Sequence, residues 1–138
     1  AVSPEKAVIN SPVGRSFRDR KKMAITSDGA GRDAVTEYSL NEFYQDSLSD
    51  YSLLDIDLKT GRTHQIRVHM NAIKHPVIGD ITYGNKKLNA HFLEKYGLKR
   101  QFLHAAELEI THPKTGKKVK FEAKMPKDLL SVLDALVL

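Results

Sequence analysis

Two runs of alternating apolar and polar residues dominate the first half of the chain. Apolar side chains recur at every second position in residues 51–59, and a similar alternation covers residues 36–43. A period of two predicts β-strands with one buried face. The polar and acidic segment 44–50 lies between the runs, so we expect a loop there and antiparallel pairing of the two strands.

The period changes at Gly61. Beyond it, Ile66, Met70 and Ile73 follow the i, i+4, i+7 spacing of one helix face. This spacing predicts a helix within residues 60–73 that these side chains anchor in the core. Because a helix N-terminus offers unpaired N–H groups and a partial positive charge, the strand–glycine–helix junction is a candidate phosphate site.

Shorter patterns predict the other elements. In chain order these are a tail over residues 1–7, a short strand from residue 8, a brief strand over 23–26, a turn over 27–31, a short helix around 91–96, a hairpin whose turn is 112–117, and a terminal helix over 127–138. Strands and helices in this order predict a single α+β unit.

Composition limits the classes of function. The 138 residues suffice for one domain with a core, and no apolar run approaches the roughly 18 residues of a membrane span. The absence of cysteine excludes disulfides, thiolate catalysis and thiolate-bound zinc, and it fits a cytoplasmic protein. A net charge of +5, from 22 basic against 17 acidic residues, favours an acidic partner such as a nucleic acid.

The six histidines do not have the spacing of a metal site. His64 and His69 are five residues apart, which places them on different sides of a helix, whereas helical zinc ligands are three or four apart. The sequence contains neither a G-x-S-x-G nucleophile elbow nor a G-x-x-x-x-G-K-[ST] phosphate loop. We therefore predict no metal site, and nucleotide triphosphate chemistry is disfavoured.

Positive charge is concentrated in residues 15–22, which we call the basic arm. Five cations surround Phe17, with only Asp19 opposing them. The cations are Arg15, Arg18, Arg20, Lys21 and Lys22. Such a segment is either a solvated loop or an arm that contacts phosphates; the charge pattern by itself slightly favours the solvated loop.

Residues 60–70 read T-G-R-T-H-Q-I-R-V-H-M. They are followed by H-P-V-I-G-D at 75–80, Y-G at 83–84, Q-F-L-H-A at 101–105, T-H-P at 111–113 and M-P at 125–126. In order and spacing, these motifs closely resemble the RluA-type pseudouridine synthases, which isomerise uridine in structured RNA. A looser match at residues 11–15, 22–23 and 34–36 extends the resemblance over almost the whole chain.

The resemblance implies a mixed, largely antiparallel sheet with flanking helices, an α+β fold whose active cleft crosses the sheet. It also implies uridine isomerisation in 23S-type ribosomal RNA without a cofactor or metal. Arg67 takes the place of the arginine that pairs with the catalytic aspartate, and Leu103 that of an apolar residue lining the uracil pocket. Arg62, His64 and Gln65 are implied to contact RNA near the target, with Arg62 as the main phosphate ligand. The basic arm becomes an RNA-backbone contact.

The resemblance stops short of the nucleophile. Family members carry it in an H-R-L-D-x-x-T-S-G segment, and none of the ten aspartates here follows an Arg-Leu pair. We therefore expect the C-terminal half of a synthase catalytic domain, inactive without its N-terminal half. Loss of that half would expose a strand edge and an apolar face, which predicts self-association.

Two other classes of function remain open. A stand-alone RNA-binding module would keep the scaffold and the affinity for RNA without catalysis. A protein-interaction domain with incidental basic charge would bind no RNA, or bind it independently of salt.

Overall fold

The computed structural model describes residues 2–19, 21–26 and 31–137. Their elements, in chain order, are β1 (Lys6–Asn10), β2 (Val13–Arg15), β3 (Met23–Ile25), β4 (Val35–Gln45), β5 (Asp50–Leu58), α1 (Gln65–Ala72), α2 (Lys86–Tyr96), β6 (Glu107–Thr111), β7 (Lys118–Glu122) and α3 (Lys127–Val137). Apart from Gly31, the turn predicted over 27–31 lies outside the described residues.

β4 is the central strand of an antiparallel sheet with the order β1-β4-β5. The predicted pairing of β4 with β5 is confirmed. Both strands extend beyond the alternating runs, so the tight turn 46–49 replaces the expected loop. Asp46 closes this turn, because its carboxylate accepts hydrogen bonds from the backbone N–H groups of Leu48 and Ser49.

The other described strands form two separate hairpins, β2–β3 and β6–β7. The second is the hairpin predicted around residues 112–117. The sequence pattern does not indicate β2, in which Gly14 pairs with Ala24. Every strand pair within the described residues is antiparallel, and the α+β class is confirmed.

The N-terminal segment differs from the expected tail over residues 1–7. Lys6 and Ala7 already belong to β1 and pair with Ser39 and Tyr38 of β4. Val2 is buried, and its N–H donates to the Ser52 hydroxyl. Pairing with a distant strand therefore orders a segment that has no strong pattern of its own.

The apolar core is divided into two clusters. The larger one joins β5, α2 and α3 through Tyr51, Phe92, Leu98, Leu129 and Val132. The helix predicted at the C-terminus is confirmed as α3, and two of its side chains belong to this cluster. The smaller cluster, Val13, Ala34 and Val68, fixes α1 against β2 and the start of β4.

The helix predicted within residues 60–73 is confirmed as α1, but its most buried face is polar. Gln65 and His69 are buried, whereas Ile66 and Ile73 are only half-buried. Ile66 and Met70 instead line an open, largely apolar groove of about 320 Å³ bounded by α1, β5, α2 and α3. The expectation that Ile66 and Ile73 lie in the core is wrong, because Val68 supplies the apolar contact of α1 with the smaller cluster and hydrogen bonds of Gln65 and His69 attach the helix to β4.

The groove lies beside an open sheet edge. Among the described strands β5 pairs only with β4, which leaves its other edge without a strand partner. Residues 50–54 of that strand also line the groove. None of the described helices has the length and apolarity needed to cross a membrane.

Candidate active site

Gln65, the first residue of α1, attaches the helix to the sheet. Its Nε2 donates to the carbonyl oxygen of Val35 at 3.0 Å and to Thr36 Oγ1 at 2.9 Å. Its Oε1 accepts from Thr60 Oγ1 at 2.7 Å and from the N–H of Arg62 at 3.0 Å. All four hydrogen-bonding positions of the amide are thus filled inside the protein. With 3% of its surface exposed, Gln65 does not fit the predicted contact with RNA; it is a structural residue.

His69 extends this network by one helical turn. Its Nε2 lies 2.8 Å from the carbonyl oxygen of Ser11, which can only accept, so Nε2 carries a proton. In the neutral ring, Nδ1 then accepts from the hydroxyl of Thr36, 2.8 Å away. This hydrogen-bonded chain fixes the rotation of α1 about its own axis, and that rotation determines where Arg67 points.

Arg67 forms a bidentate ion pair with Asp80. Its Nε lies 2.7 Å from Oδ2, and its Nη2 lies 2.8 Å from Oδ1. The Arg67 side chain is 13% exposed and the Asp80 side chain 0%. Two parallel hydrogen bonds hold the guanidinium plane in one orientation. The remaining nitrogen, Nη1, makes no hydrogen bond to any of the described residues.

The segment before α2 holds Asp80 in place. Gly79 has φ +84°, and a Cβ there would collide with the carbonyl oxygen of Arg100, so only glycine fits. Asn89 of α2 accepts from the Gly79 N–H at 2.8 Å and donates to the Asp80 carbonyl oxygen at 2.9 Å. The backbone that presents the carboxylate is therefore fixed from two sides.

The Asp80 carboxylate is saturated with donors. Besides the two bonds from Arg67, its Oδ1 accepts the N–H groups of Thr82 at 3.0 Å and Tyr83 at 3.1 Å. Burial alone would raise the pKa of Asp80, but these hydrogen bonds outweigh burial and hold the pKa below its ordinary value. The same pair raises the pKa of Arg67. A buried carboxylate with four donors cannot reach a substrate as a nucleophile, so Asp80 orients Arg67.

Tyr83 completes the cluster around Arg67. Its ring lies beneath the guanidinium, with Cζ 5.0 Å from the ring centre. Its hydroxyl accepts from the Met23 N–H at 2.9 Å and lies 2.8 Å from His64 Nδ1. Partial burial, and then the Arg67 charge, lower the pKa of His64. A neutral His64 ring whose Nδ1 accepts a hydrogen bond from the Tyr83 hydroxyl satisfies both groups.

The residues before α1 remain accessible. His64 is exposed and has φ 56°, an uncommon conformation for a residue other than glycine. Arg62 is half-buried, and its Nε donates to the Asp33 carbonyl oxygen at 2.8 Å. Neither Nη atom of Arg62 is hydrogen-bonded to a described residue, which leaves both for a phosphate. The structure thus brings Arg62, His64 and Arg67 to one end of α1.

Leu103 is separate from this cluster. It is half-buried and lines the apolar groove together with Ile66 and Met70. This location agrees with an apolar wall, but Arg67 does not line the groove. The assignment of Leu103 to a uracil pocket stays a prediction.

The basic arm connects β2 to β3. Arg15, Arg18 and Lys21 are exposed, Lys22 is half-buried, and Arg20 lies outside the described residues. The arm ends at Met23, whose N–H donates to the Tyr83 hydroxyl. The C-terminal end of the arm is therefore anchored at the Arg67 cluster.

Asp80 and Tyr83 are site residues to which the sequence analysis assigned no role, although both lie in motifs that carry the resemblance. They lie within the G-D-x-x-Y-G run, but nothing in their spacing from Arg67 indicates contact. The described residues contain no cluster of three or more His, Asp or Glu side chains arranged to hold a metal ion.

Known proteins resemble this chain over most of its length. The family model described as RNA pseudouridylate synthase matches residues 2–72. An uncharacterized RNA pseudouridine synthase of Chloroflexus aurantiacus is 46% identical over 96% of this chain and 38% of its own length. The ribosomal large subunit pseudouridine synthase D of Zymomonas mobilis is 44% identical over 94% of this chain and 40% of its own length.

A solved structure has the same fold. The human RNA pseudouridylate synthase domain containing 1 superposes with a TM-score of 0.74 at 27% identity, over 91% of this chain and 51% of its own. The chain spans about two fifths of the length of the curated relatives it matches. From the family match over residues 2–72 and the identity to these relatives, the chain belongs to the RNA pseudouridylate synthase family.

Proposed function

We propose that this chain is the RNA-binding, arginine-bearing part of an enzyme that converts uridine to pseudouridine in 23S-type ribosomal RNA in the cytoplasm. The observation that carries the proposal is the bidentate Arg67–Asp80 pair, which holds the guanidinium rigidly and leaves Nη1 without a hydrogen bond to any described residue. Family membership supports the reaction. The name of the Zymomonas mobilis relative supports the choice of ribosomal RNA.

In the proposed reaction the target uridine leaves its stack and enters the site. An aspartate from a segment other than these 138 residues forms a bond to the nucleoside as the glycosidic bond to N1 of uracil breaks. The uracil turns and rejoins the ribose through carbon 5, and the bond to the aspartate breaks. Carbon 5 then loses its proton and N1 gains one, so the net reaction is an isomerisation. Arg67 Nη1 donates a hydrogen bond to that aspartate. Because Asp80 already neutralises Arg67, the main contribution of Arg67 is to orient the nucleophile rather than to supply net charge.

RNA binding in this proposal depends on the basic arm and Arg62. Neutralising phosphates with these cations releases counterions, so the logarithm of the binding constant falls linearly with the logarithm of salt concentration. Removing one phosphate contact, for example by Arg18→Ala, reduces the magnitude of that slope by about 0.7–0.9. Lys114→Ala, in the β6–β7 turn, is the matched control and leaves the slope unchanged.

The groove and the open β5 edge support a further part of the proposal. We assign both to contact with the rest of the same enzyme, including the segment that carries the nucleophile. The chain matches only 38–40% of the length of its relatives, and the groove lining is mostly apolar. Without that contact, a second copy of the chain takes its place.

The decisive experiment is Arg67→Ala in the protein that includes the nucleophile segment. We expect the single-turnover rate to fall by about 100-fold or more, while RNA affinity changes by less than about threefold. Arg100→Ala is the control, because Arg100 forms a similar bidentate pair with Asp128 on the surface, and it should leave turnover unchanged. If the parent protein shows no turnover and Arg67→Ala lowers only its affinity for RNA, the protein is a binding module instead.

A further inference from the structure

Phe17 is the one aromatic residue in the sequence of the basic arm, and 77% of its surface is accessible. The polar groups of the arm are turned inward around it. The hydroxyl of Ser16 accepts from the backbone N–H groups of Arg18 at 3.2 Å and Asp19 at 3.3 Å. The Lys22 N–H donates to the Asp19 carbonyl oxygen at 2.9 Å. This frame leaves the phenyl ring directed outward.

The charge around Phe17 indicates what covers the ring. Arg18 and Lys21, close to it in the chain, are exposed, and Asp19 uses Oδ1 to accept the Lys21 N–H at 3.0 Å. An apolar ring rimmed by cations matches the two features of a single-stranded nucleic acid, flat bases and an anionic backbone. A partner protein with an apolar surface would gain nothing from this positive rim.

The position of the arm adds a geometric argument. Arg15 pairs with Met23 where the loop that carries Phe17 begins and ends, and the Met23 N–H is hydrogen-bonded to the hydroxyl of Tyr83, whose ring lies beneath Arg67. The loop is thus anchored at the Arg67 cluster, so we assign a base on Phe17 to the RNA strand that leads to or from the target nucleotide.

We propose that Phe17 is a base-stacking residue, which holds an unpaired base flanking the target while the neighbouring cations bind its phosphates. This assignment rests on the RNA binding of the proposed function but not on its chemistry. Stacking of one base on an aromatic side chain strengthens binding by about 5- to 150-fold. A single exposed phenylalanine has no such effect by default.

Phe121 provides the matched control. It is also a phenylalanine on a hairpin, 53% exposed, but its neighbour Lys120 is paired with Glu107 and Glu122. Phe17→Ala is expected to weaken binding of a single-stranded oligouridylate at least about fivefold at constant salt, with an unchanged salt slope. Phe121→Ala is expected to change it by less than about twofold.

Fluorescence tests the stacking directly. The chain has no tryptophan, so Phe17→Trp introduces a single reporter, and Phe121→Trp introduces its control. Oligouridylate is expected to quench the emission of Phe17→Trp. Inorganic polyphosphate and an abasic oligoribonucleotide of equal length, which supply charge without bases, are expected to leave it unquenched. None of these three polymers is expected to quench the emission of Phe121→Trp.

Equal quenching by polyphosphate, or equal affinities for the Phe17→Ala variant and the parent chain, would overturn the stacking assignment while leaving RNA binding intact. Absence of RNA binding in the parent chain would overturn both the stacking and the RNA-binding part of the proposed function. Base-dependent quenching without turnover in the longer protein would support stacking and overturn only the isomerase proposal. Circular dichroism of each variant checks that the fold is retained.

Discussion

Arg67 and Asp80 lie 13 positions apart in the chain and form a bidentate ion pair in which Nε–Oδ2 is 2.7 Å and Nη2–Oδ1 is 2.8 Å. Burial of a single charge is costly, whereas a paired and fully hydrogen-bonded carboxylate is tolerated. The pair therefore has two consequences. It holds α1 against the segment before α2, and it presents Arg67 Nη1 in one direction.

Asp80→Asn should destabilise the fold by about 3–5 kcal/mol, because it leaves the Arg67 charge largely buried without its partner. Chemical denaturation with urea measures the change in the free energy of unfolding. Asp128→Asn is the control, since Asp128 makes the same kind of pair with Arg100 at 53% side-chain exposure; it should change the free energy of unfolding far less, because solvent screens an exposed pair. Equal losses in the two variants would show that burial of the Arg67–Asp80 pair contributes nothing.

Gln65→Ala should lower the free energy of unfolding by about 2–4 kcal/mol. Its removal leaves the Val35 carbonyl oxygen, the Arg62 N–H and the Thr60 hydroxyl without the partners they have now. Asn71→Ala, an exposed position on the same helix, is the control and should change stability by less than about 0.5 kcal/mol. A Gln65→Ala variant of parental stability that binds RNA weakly would restore the RNA-contact role for Gln65.

Acid should unfold the protein partly through Asp46. Burial alone would raise the pKa of this carboxyl, but donors that include His91 Nε2 and the Tyr96 hydroxyl, each 2.7 Å away, lower it well below its ordinary value. A lowered folded-state pKa contributes stability that is complete above the unfolded pKa of about 4 and is lost as the pH falls below it. Asp46→Asn should flatten this acid limb in urea titrations between pH 5 and 2. If the free energy of unfolding falls as steeply with decreasing pH in Asp46→Asn as in the parent chain, Asp46 does not contribute to acid unfolding.

The loss of stability at alkaline pH should depend on Tyr96. Burial and its hydrogen bond to Asp46 raise the pKa of Tyr96 to about 12. Stability from a raised pKa is complete below the unfolded value of about 10 and is lost as the pH rises through the folded value. We therefore expect the free energy of unfolding to fall between pH 10 and 12, and Tyr96→Phe to reduce that fall.

The chain should self-associate when it is alone in solution, because the β5 edge and the apolar groove are both uncovered. Sedimentation velocity over a wide concentration range should show dimers. Ile66→Lys, on the groove wall, should shift the equilibrium toward monomer. Ile81→Lys, at an exposed position outside the groove, should not. A monomeric parent chain at high concentration would exclude this use of the groove.

Elements with a strong local period were predictable from the sequence. The β4–β5 pair, the β6–β7 hairpin, α1 and α3 all follow from apolar side chains at period two or at helical spacing. Such periods are set by the geometry of one element and need no knowledge of its neighbours.

The tertiary structure decided which polar residues serve the site. Gln65 and His69 belong to the same short motif as Arg62 and His64, yet the first two are buried in hydrogen bonds to Thr36, some 30 positions away. Likewise, no spacing rule joins Arg67 to Asp80, and only the pairing with β4 ordered Lys6 and Ala7. The physical reason is that burial of a polar group depends on whether distant segments supply its partners. The sequence by itself determined the strongly periodic elements and the family motif, and the packing of those elements determined which motif residues stay accessible and which hold the fold.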